Sequence, residues 1–250
     1  MQKLVFYILC FLLIFTDCSQ EKHNDLVIND TKTLKSHPNS EMVIEPDTCE
    51  LEKLFVRNGL VNIESEIPGI YIDLKYSGNT NFMKRDMYGN LNRLYLQNDV
   101  CAKLNKAQYL LKKQDSTLSL MVFDGVRPLR IQKAMWNEFK LPAWKKGKFL
   151  SNPAYGSLHN YGAAVDLTIC DAKGKELDMG TPYDDTARLA YPELEGYFLT
   201  NKQLTKQQVK NRQLLRNVMY GAGFFGIPTE WWHFNSCTRD MARQRYKLIE

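Results

Sequence analysis

The stretch GSLHNYGAAVDLTI, residues 156–169, constrains the fold of this chain more than any other. It holds His159 and Asp166 seven positions apart, with a glycine and two alanines between them. A straight helix would separate the pair by roughly 10 Å along its axis and a straight strand by roughly 23 Å. Neither element can aim both side chains at one small target, so the chain must turn between them. Gly162 permits a sharp turn, and Ala163 and Ala164 leave room beside it. Beyond the turn, Val165, Leu167 and Ile169 alternate with Ala164, Asp166 and Thr168. That is a strand with one apolar face for the core and Asp166 projecting from the other. An imidazole folded back toward that carboxylate describes two ligands of a metal; a lone His–Asp pair is more often simply hydrogen-bonded.

Counting histidines supplies a third candidate ligand. Of the four in the chain, His23 and His37 fall in a polar N-terminal stretch, which leaves His159 and His233 for the folded part. His233 lies in TEWWHF, with Glu230 three residues ahead. Two His and one Asp, with a fourth position open to water, are the donor set of a catalytic zinc, and Glu230 is a carboxylate placed to act as base. Read blandly, Trp231 and Trp232 are core residues, and DGVRP is a turn with Arg127 in a surface ion pair.

The remaining patterns point to mixed elements. LSLMVFDG alternates Leu118, Leu120 and Val122 as a strand would. RPLRIQKAMWNEF then starts a helix at Pro128, with Ile131, Met135 and Phe139 on one stripe. CAKLNKAQYLLKK places Cys101, Leu104 and Leu111 on a helix face. NRQLLRNVMYGAGF reads as a helix carrying Leu214, Leu215, Val218 and Met219, closed by Gly221 or Gly223. Helices and strands that mix without strict alternation predict an α+β domain, a largely antiparallel sheet with flanking helices. With 44% hydrophobic and 12% aromatic residues, 250 residues suffice for one ordinary core.

The N-terminal region reads differently. Leu4 to Phe15 is an apolar run of 12 residues, suited to an export signal and short of the roughly 20 that span a bilayer. No alanine precedes Ala102, so there is no A-x-A cleavage site, and Cys18 becomes a candidate lipid-attachment residue. Cleavage by an ordinary signal peptidase is the alternative. Residues 19–48 are polar, lack aromatic residues and read as a tether, which leaves 49–250 as the folded domain. The expected location is the cell envelope or periplasm. Lys and Arg number 33 against 28 Asp and Glu, with no dense basic run, which argues against dedicated nucleic-acid binding. Nothing in the sequence calls for an obligate protein partner.

Taken in order, DGVRP, SLHNYGAAVDLTI, MGTPYDD, NRQLLRNVMYGAGF and EWWHF resemble the D-alanyl-D-alanine dipeptidase family of zinc peptidases, over roughly residues 51 to 250. The resemblance implies the compact α+β fold that this family shares with D,D-carboxypeptidases and the hedgehog signalling domain. It implies one Zn2+ held by His159, Asp166 and His233, with Glu230 as general base and Arg127 steadying the oxyanion. It also implies Asp184 as the receiver of a dipeptide's ammonium, and Ser157 and Tyr76 as further pocket residues. Val126 departs from the aromatic residue common before the family's arginine. Two alternatives stay open: a peptidoglycan carboxypeptidase of the same fold, and a non-catalytic zinc module, against which retention of Glu230 and Arg127 speaks.

Four cysteines remain beyond Cys10 and Cys18. Cys170 follows Asp166, and Cys237 follows His233, by the same four residues. If both segments run as strands past the metal, a Cys170–Cys237 disulfide would brace it, with Cys49–Cys101 tying the domain's start to its first helix. Four buried free thiols are the equal alternative.

Overall fold

The computed structural model describes residues 49–142, 146–147 and 149–250. The expected export segment, Cys18 and the tether with His23 and His37 lie outside these residues. Among them a five-stranded sheet runs through the domain in the order β2 (Tyr71–Ile72), β4 (Ser119–Asp124), β5 (Ala164–Cys170), β7 (Glu230–Asn235), β6 (Phe225–Ile227). The β2–β4 pair is parallel and the other three pairs are antiparallel. Two short strands, β1 (Val61–Asn62) and β3 (Tyr95–Leu96), pair separately. The α+β class with a mostly antiparallel sheet follows directly.

Why the sheet sits where it does is a matter of its apolar face. Leu120, Val122, Val165, Leu167 and Ile169 bury against two long helices, α3 (Asn98–Gln114) and α6 (Lys206–Gly221); α1 (Glu50–Arg57) and α2 (Ile63–Glu66) come before α3, and α4 (Leu129–Glu138) and α5 (Glu195–Thr200) lie between the two. α3 contributes Cys101, Leu104 and Leu111, and α6 contributes Leu215, Val218 and Met219, on the stripes read from their spacing. Each fully buried leucine here contributes about 1.5–3 kcal/mol. α6 begins earlier than its apolar stripe suggests, because Thr205 and Gln208 close a reciprocal capping box at its N-terminus. α4 starts after Pro128, buries Ile131 and Met135, and ends before Phe139, whose ring packs on Phe82.

Gly162 makes the turn that the opening stretch requires. It caps a 3-10 turn at Leu158–Tyr161 in the left-handed region, with φ 64°. A Cβ there would lie 2.5 Å from Leu60 Cδ2, so a larger residue would have to displace that side chain as well as adopt a strained conformation.

The expected disulfides do not form: Cys49, Cys101, Cys170 and Cys237 are all free thiols. β5 and β7 are antiparallel, with Asp166 opposite His233, so a step of four residues from each of them leads in opposite directions. At about 3.4 Å per residue the two cysteines diverge by about 27 Å along the sheet, whereas a disulfide tolerates a Cα separation of only about 7 Å. Cys101 packs in the main core cluster and Cys49 beside a second one around Phe55 and Met135. Three of the four thiols are buried, and Cys49 is half-buried.

Candidate active site

Three neighbouring strands present three polar residues side by side. Asp166 on β5 stands opposite His233 on β7 and, across an irregularity in the ladder between Val122 and Asp124, opposite Asp124 on β4. Directly paired residues of antiparallel strands point to the same face, which here is the face turned away from the main core. The 3-10 turn before β5 brings His159 back over Asp166. Asp166 Oδ1 then lies 2.9 Å from His233 Nδ1 and 3.4 Å from His159 Nε2, and the two ring nitrogens are 3.3 Å apart.

Ligand atoms of His159, Asp166 and His233 all fall within 4.8 Å of one another, as a metal would need. The outer contacts fit that use. His159 Nδ1 donates to the carbonyl of Gly125 at 2.7 Å, which leaves the Nε2 lone pair facing the cluster. His233 Nε2 donates to Asn235 Oδ1 at 3.0 Å, which leaves Nδ1 facing it. Tyr183 donates its hydroxyl to Asp166 Oδ2 at 2.9 Å, fixing the carboxylate. Burial works against an ionised Asp166, yet the two imidazoles hold its carboxyl well below the usual range. Burial likewise opposes charge on His159, but the Asp166 carboxylate outweighs it and raises the imidazole. The cluster is therefore built to favour positive charge at its centre.

Arg127 approaches from the loop after β4 and is buried, 5% exposed. Its guanidinium grips Asp124 through Nε at 3.0 Å and again through Nη2, and Nη1 donates to Gln132 at 3.0 Å. Asp124 is itself fixed by the Tyr88 hydroxyl at 2.6 Å. Arg127 is thus no surface ion pair. It stacks 4.9 Å over the Tyr76 ring and lies 3.8 Å from Asp166 Oδ2. Burial works against its charge, but Asp124 raises its already high pKa further.

The loop that carries Tyr183 and Asp184 is clamped from behind. Arg212 on α6 donates to the carbonyls of Met179 at 2.6 Å and Leu189 at 3.0 Å, and Trp231 donates to Thr181 at 2.8 Å. Asp184 adopts the left-handed region, φ 61°, which aspartate tolerates better than most residues. Its carboxylate accepts from the Tyr76 hydroxyl at 3.2 Å. Burial and the charge of Asp166 push its pKa up to about 8. Glu230, at the start of β7, is pushed to about 8 as well, by burial first, with Asp166 and Asp184 adding to it and His233 opposing. Ser157 accepts from the His159 backbone N–H at 3.3 Å, leaving its own O–H to donate elsewhere.

One cavity of about 470 Å³ joins these groups: Tyr76, Arg127, Ser157, Asp184 and Glu230 all line it together with the triad. Every residue singled out in the sequence for the site is in its wall.

The family model for D-ala-D-ala dipeptidase matches residues 56–249. The chain belongs to the D-ala-D-ala dipeptidase family. The D-alanyl-D-alanine dipeptidase of Escherichia coli K12 is 31% identical over 175 residues, which covers 70% of this chain and 83% of that protein. The enzyme of the same name from Enterococcus faecium is 26% identical over 191 residues, 70% of this chain and 90% of its own length. That of Synechocystis is 27% identical over 171 residues, 56% and 68%. A solved structure of the LdcB LD-carboxypeptidase aligns with 74% of this chain and 71% of its own at 18% identity, with a TM-score of 0.40.

Members of the family are metallopeptidases, and the buried His–Asp–His cluster is a group that can hold their metal. Four residues of the site escaped the sequence reading: Asp124, Gln132, Tyr183 and Asn235. Asp124 and Tyr183 sit inside DGVRP and MGTPYDD, so the motifs contained them without disclosing what they touch. Asn235 follows His233 by two, the strand repeat that puts both on one face.

Proposed function

We propose that this chain hydrolyses dipeptides, D-alanyl-D-alanine foremost, at a zinc ion held by His159, Asp166 and His233, in the metabolism of cell-wall peptides. The observation that carries the reading is the presence of Glu230 and Arg127 in one cavity with the triad. A purely structural metal needs neither a base nor a buried cation aimed at it. Two nitrogens and one carboxylate are a common donor set for catalytic zinc. When bound, zinc supplies Lewis acidity to the scissile carbonyl and makes a nearby water easier to deprotonate.

The protein's own groups supply the rest. Glu230 accepts the proton of the attacking water and passes it to the leaving amine, a shuttle that suits a carboxyl whose pKa burial has brought near neutrality. Arg127, held by Asp124 and Gln132, presents its remaining N–H groups to the oxygen on which charge grows. Asp184, steadied by Tyr76, receives the substrate's ammonium, and that cation in turn favours ionised Asp184. The Ser157 hydroxyl is available to the substrate's carboxylate. A substrate with both charged ends close to one amide fits such a pocket, and a chain extended beyond its amino end loses the ammonium that Asp184 receives.

Export, with Cys18 as the point of lipid attachment, belongs to the same proposal and rests on the apolar run before it and the absence of an A-x-A site. Fractionation of cells expressing wild type and Cys18→Ser tests it: membrane-bound wild type released by the substitution supports the anchor, and soluble wild type removes it. The activity is tested by supplying free D-alanyl-D-alanine, its N-acetylated form and a muropeptide ending in the same pair. Hydrolysis of the free dipeptide alone supports the dipeptidase reading, and preference for the muropeptide moves the assignment to a carboxypeptidase.

A further inference from the structure

The cleft does not end at the triad. β7 runs from Glu230, which shares a small hollow with Asp184 and Phe82, past His233 to Asn235, and the chain then enters α7 (Arg239–Arg245). The same cavity is lined at this far end by Phe225, Asn235, Thr238 and Arg239. Phe225 pairs with Asn235 across the β6–β7 ladder and is 42% exposed, forming an apolar rim. Even at the roughly 30 Å³ that liquid water allots per heavy atom, the roughly 11 heavy atoms of a dialanine occupy about 330 Å³. The cavity of about 470 Å³ has room beyond that.

Charge is divided along this cleft. Asp184 and Glu230 occupy one end. Of the described cations in the wall, Arg127 is committed to Asp124, and both histidines are committed to Asp166. Arg239 alone forms no ion pair or hydrogen bond with any described residue. Its backbone is held, because it opens a helix capped by Thr238, which accepts from Met241 at 3.3 Å, while its side chain is exposed. That helix packs against the 3-10 turn carrying His159, and Arg243 donates to the Tyr155 carbonyl at 3.0 Å.

We infer that Arg239 is a specificity-determining residue that receives a carboxylate carried by the residue on the leaving side of the scissile bond. The inference rests on the dipeptidase reading, because Asp184 must take the ammonium end for Arg239 to face the other. The carboxylate belongs either to the main chain of that residue or to its side chain, and the cleft's spare room admits both.

Steady-state kinetics of wild type, Arg239→Ala, Arg239→Lys and Arg243→Ala separate these sources on three substrates: D-alanyl-D-alanine, its C-terminal amide, and D-alanyl-D-glutamate. Arg239→Ala raises KM about two- to fivefold, the scale of one exposed charge contact, with kcat unchanged, and Arg239→Lys restores part of the loss. Arg243→Ala, on the same helix but turned to Tyr155, leaves both constants unchanged. A penalty that vanishes on the amide assigns the main-chain carboxylate. A penalty confined to D-alanyl-D-glutamate assigns the side chain. Unchanged KM on all three substrates, or a fall in kcat at constant KM, overturns the role of Arg239. Wild type that hydrolyses none of them overturns the dipeptidase reading and this inference with it.

Discussion

Removing the hydroxyl of Tyr183 should loosen the metal without disturbing the fold. The hydroxyl donates to Asp166 Oδ2 at 2.9 Å, while Asp166 Oδ1 faces the two imidazoles. In Tyr183→Phe the ring keeps its packing on Phe123 at 5.0 Å and Trp232 at 5.5 Å, so the lost interaction is the hydrogen bond. A hydrogen bond to a charged acceptor is worth about 1.5–3 kcal/mol, and deletion of a partner to a metal ligand weakens binding by about 10–100-fold, or about 1.4–2.7 kcal/mol. The two scales agree. They apply in full here because the nearest other donor to Asp166 Oδ2 among the described contacts, Arg127, is 3.8 Å away. Competition against a chelator of known affinity should give a zinc Kd for Tyr183→Phe about 10–100-fold above wild type, while urea unfolding of the metal-free variant should show the loss of the hydrogen bond itself, about 1.5–3 kcal/mol, and remain cooperative. An unchanged Kd would refute the claim that Tyr183 fixes the ligand.

Three further outcomes are expected. Glu230→Gln should bind zinc as wild type does and lose at least about 100-fold in kcat, read by metal analysis beside dipeptide turnover; near-normal turnover in the loaded variant would remove Glu230 as the base. Gly162→Ala combines φ 64° with a Cβ 2.5 Å from Leu60 and should cost more than about 1 kcal/mol in urea unfolding, and a neutral result would mean that the turn relaxes. Asp184, raised to about 8, binds its proton more tightly folded than unfolded, so its contribution to stability is complete below about pH 4 and lost as pH rises through 8. The Tm of metal-free protein should therefore fall between pH 5 and 8, and less steeply in Asp184→Asn; parallel profiles would contradict the shift.

Much of the candidate site was legible because the residues that could hold a metal stand out by spacing and chemistry. The turn at Gly162, the strand carrying Asp166 and the scarcity of histidines in the folded part together singled out the triad. The alternation in β4 and β5 and the stripes of α3 and α6 placed the core. What stayed hidden was relative direction. Four-residue steps after Asp166 and His233 suggested a disulfide only if the two strands ran alike, and antiparallel pairing sends Cys170 and Cys237 apart. The partners of the site were hidden for a related reason. Tyr183 meets Asp166 from a loop, and Asp124 meets Arg127 inside one motif; neither contact leaves a periodic trace. The start of α6 could have been read from Thr205 and Gln208, a capping box visible in sequence.

The most direct test of the account is the turnover of free D-alanyl-D-alanine by metal-stripped protein as zinc is added back. No hydrolysis is expected without metal, then a rise that saturates at one zinc per chain, and no rise in a His159→Ala variant. Hydrolysis that ignores zinc, or one tightly bound zinc with no hydrolysis of any dipeptide of either chirality, would contradict it.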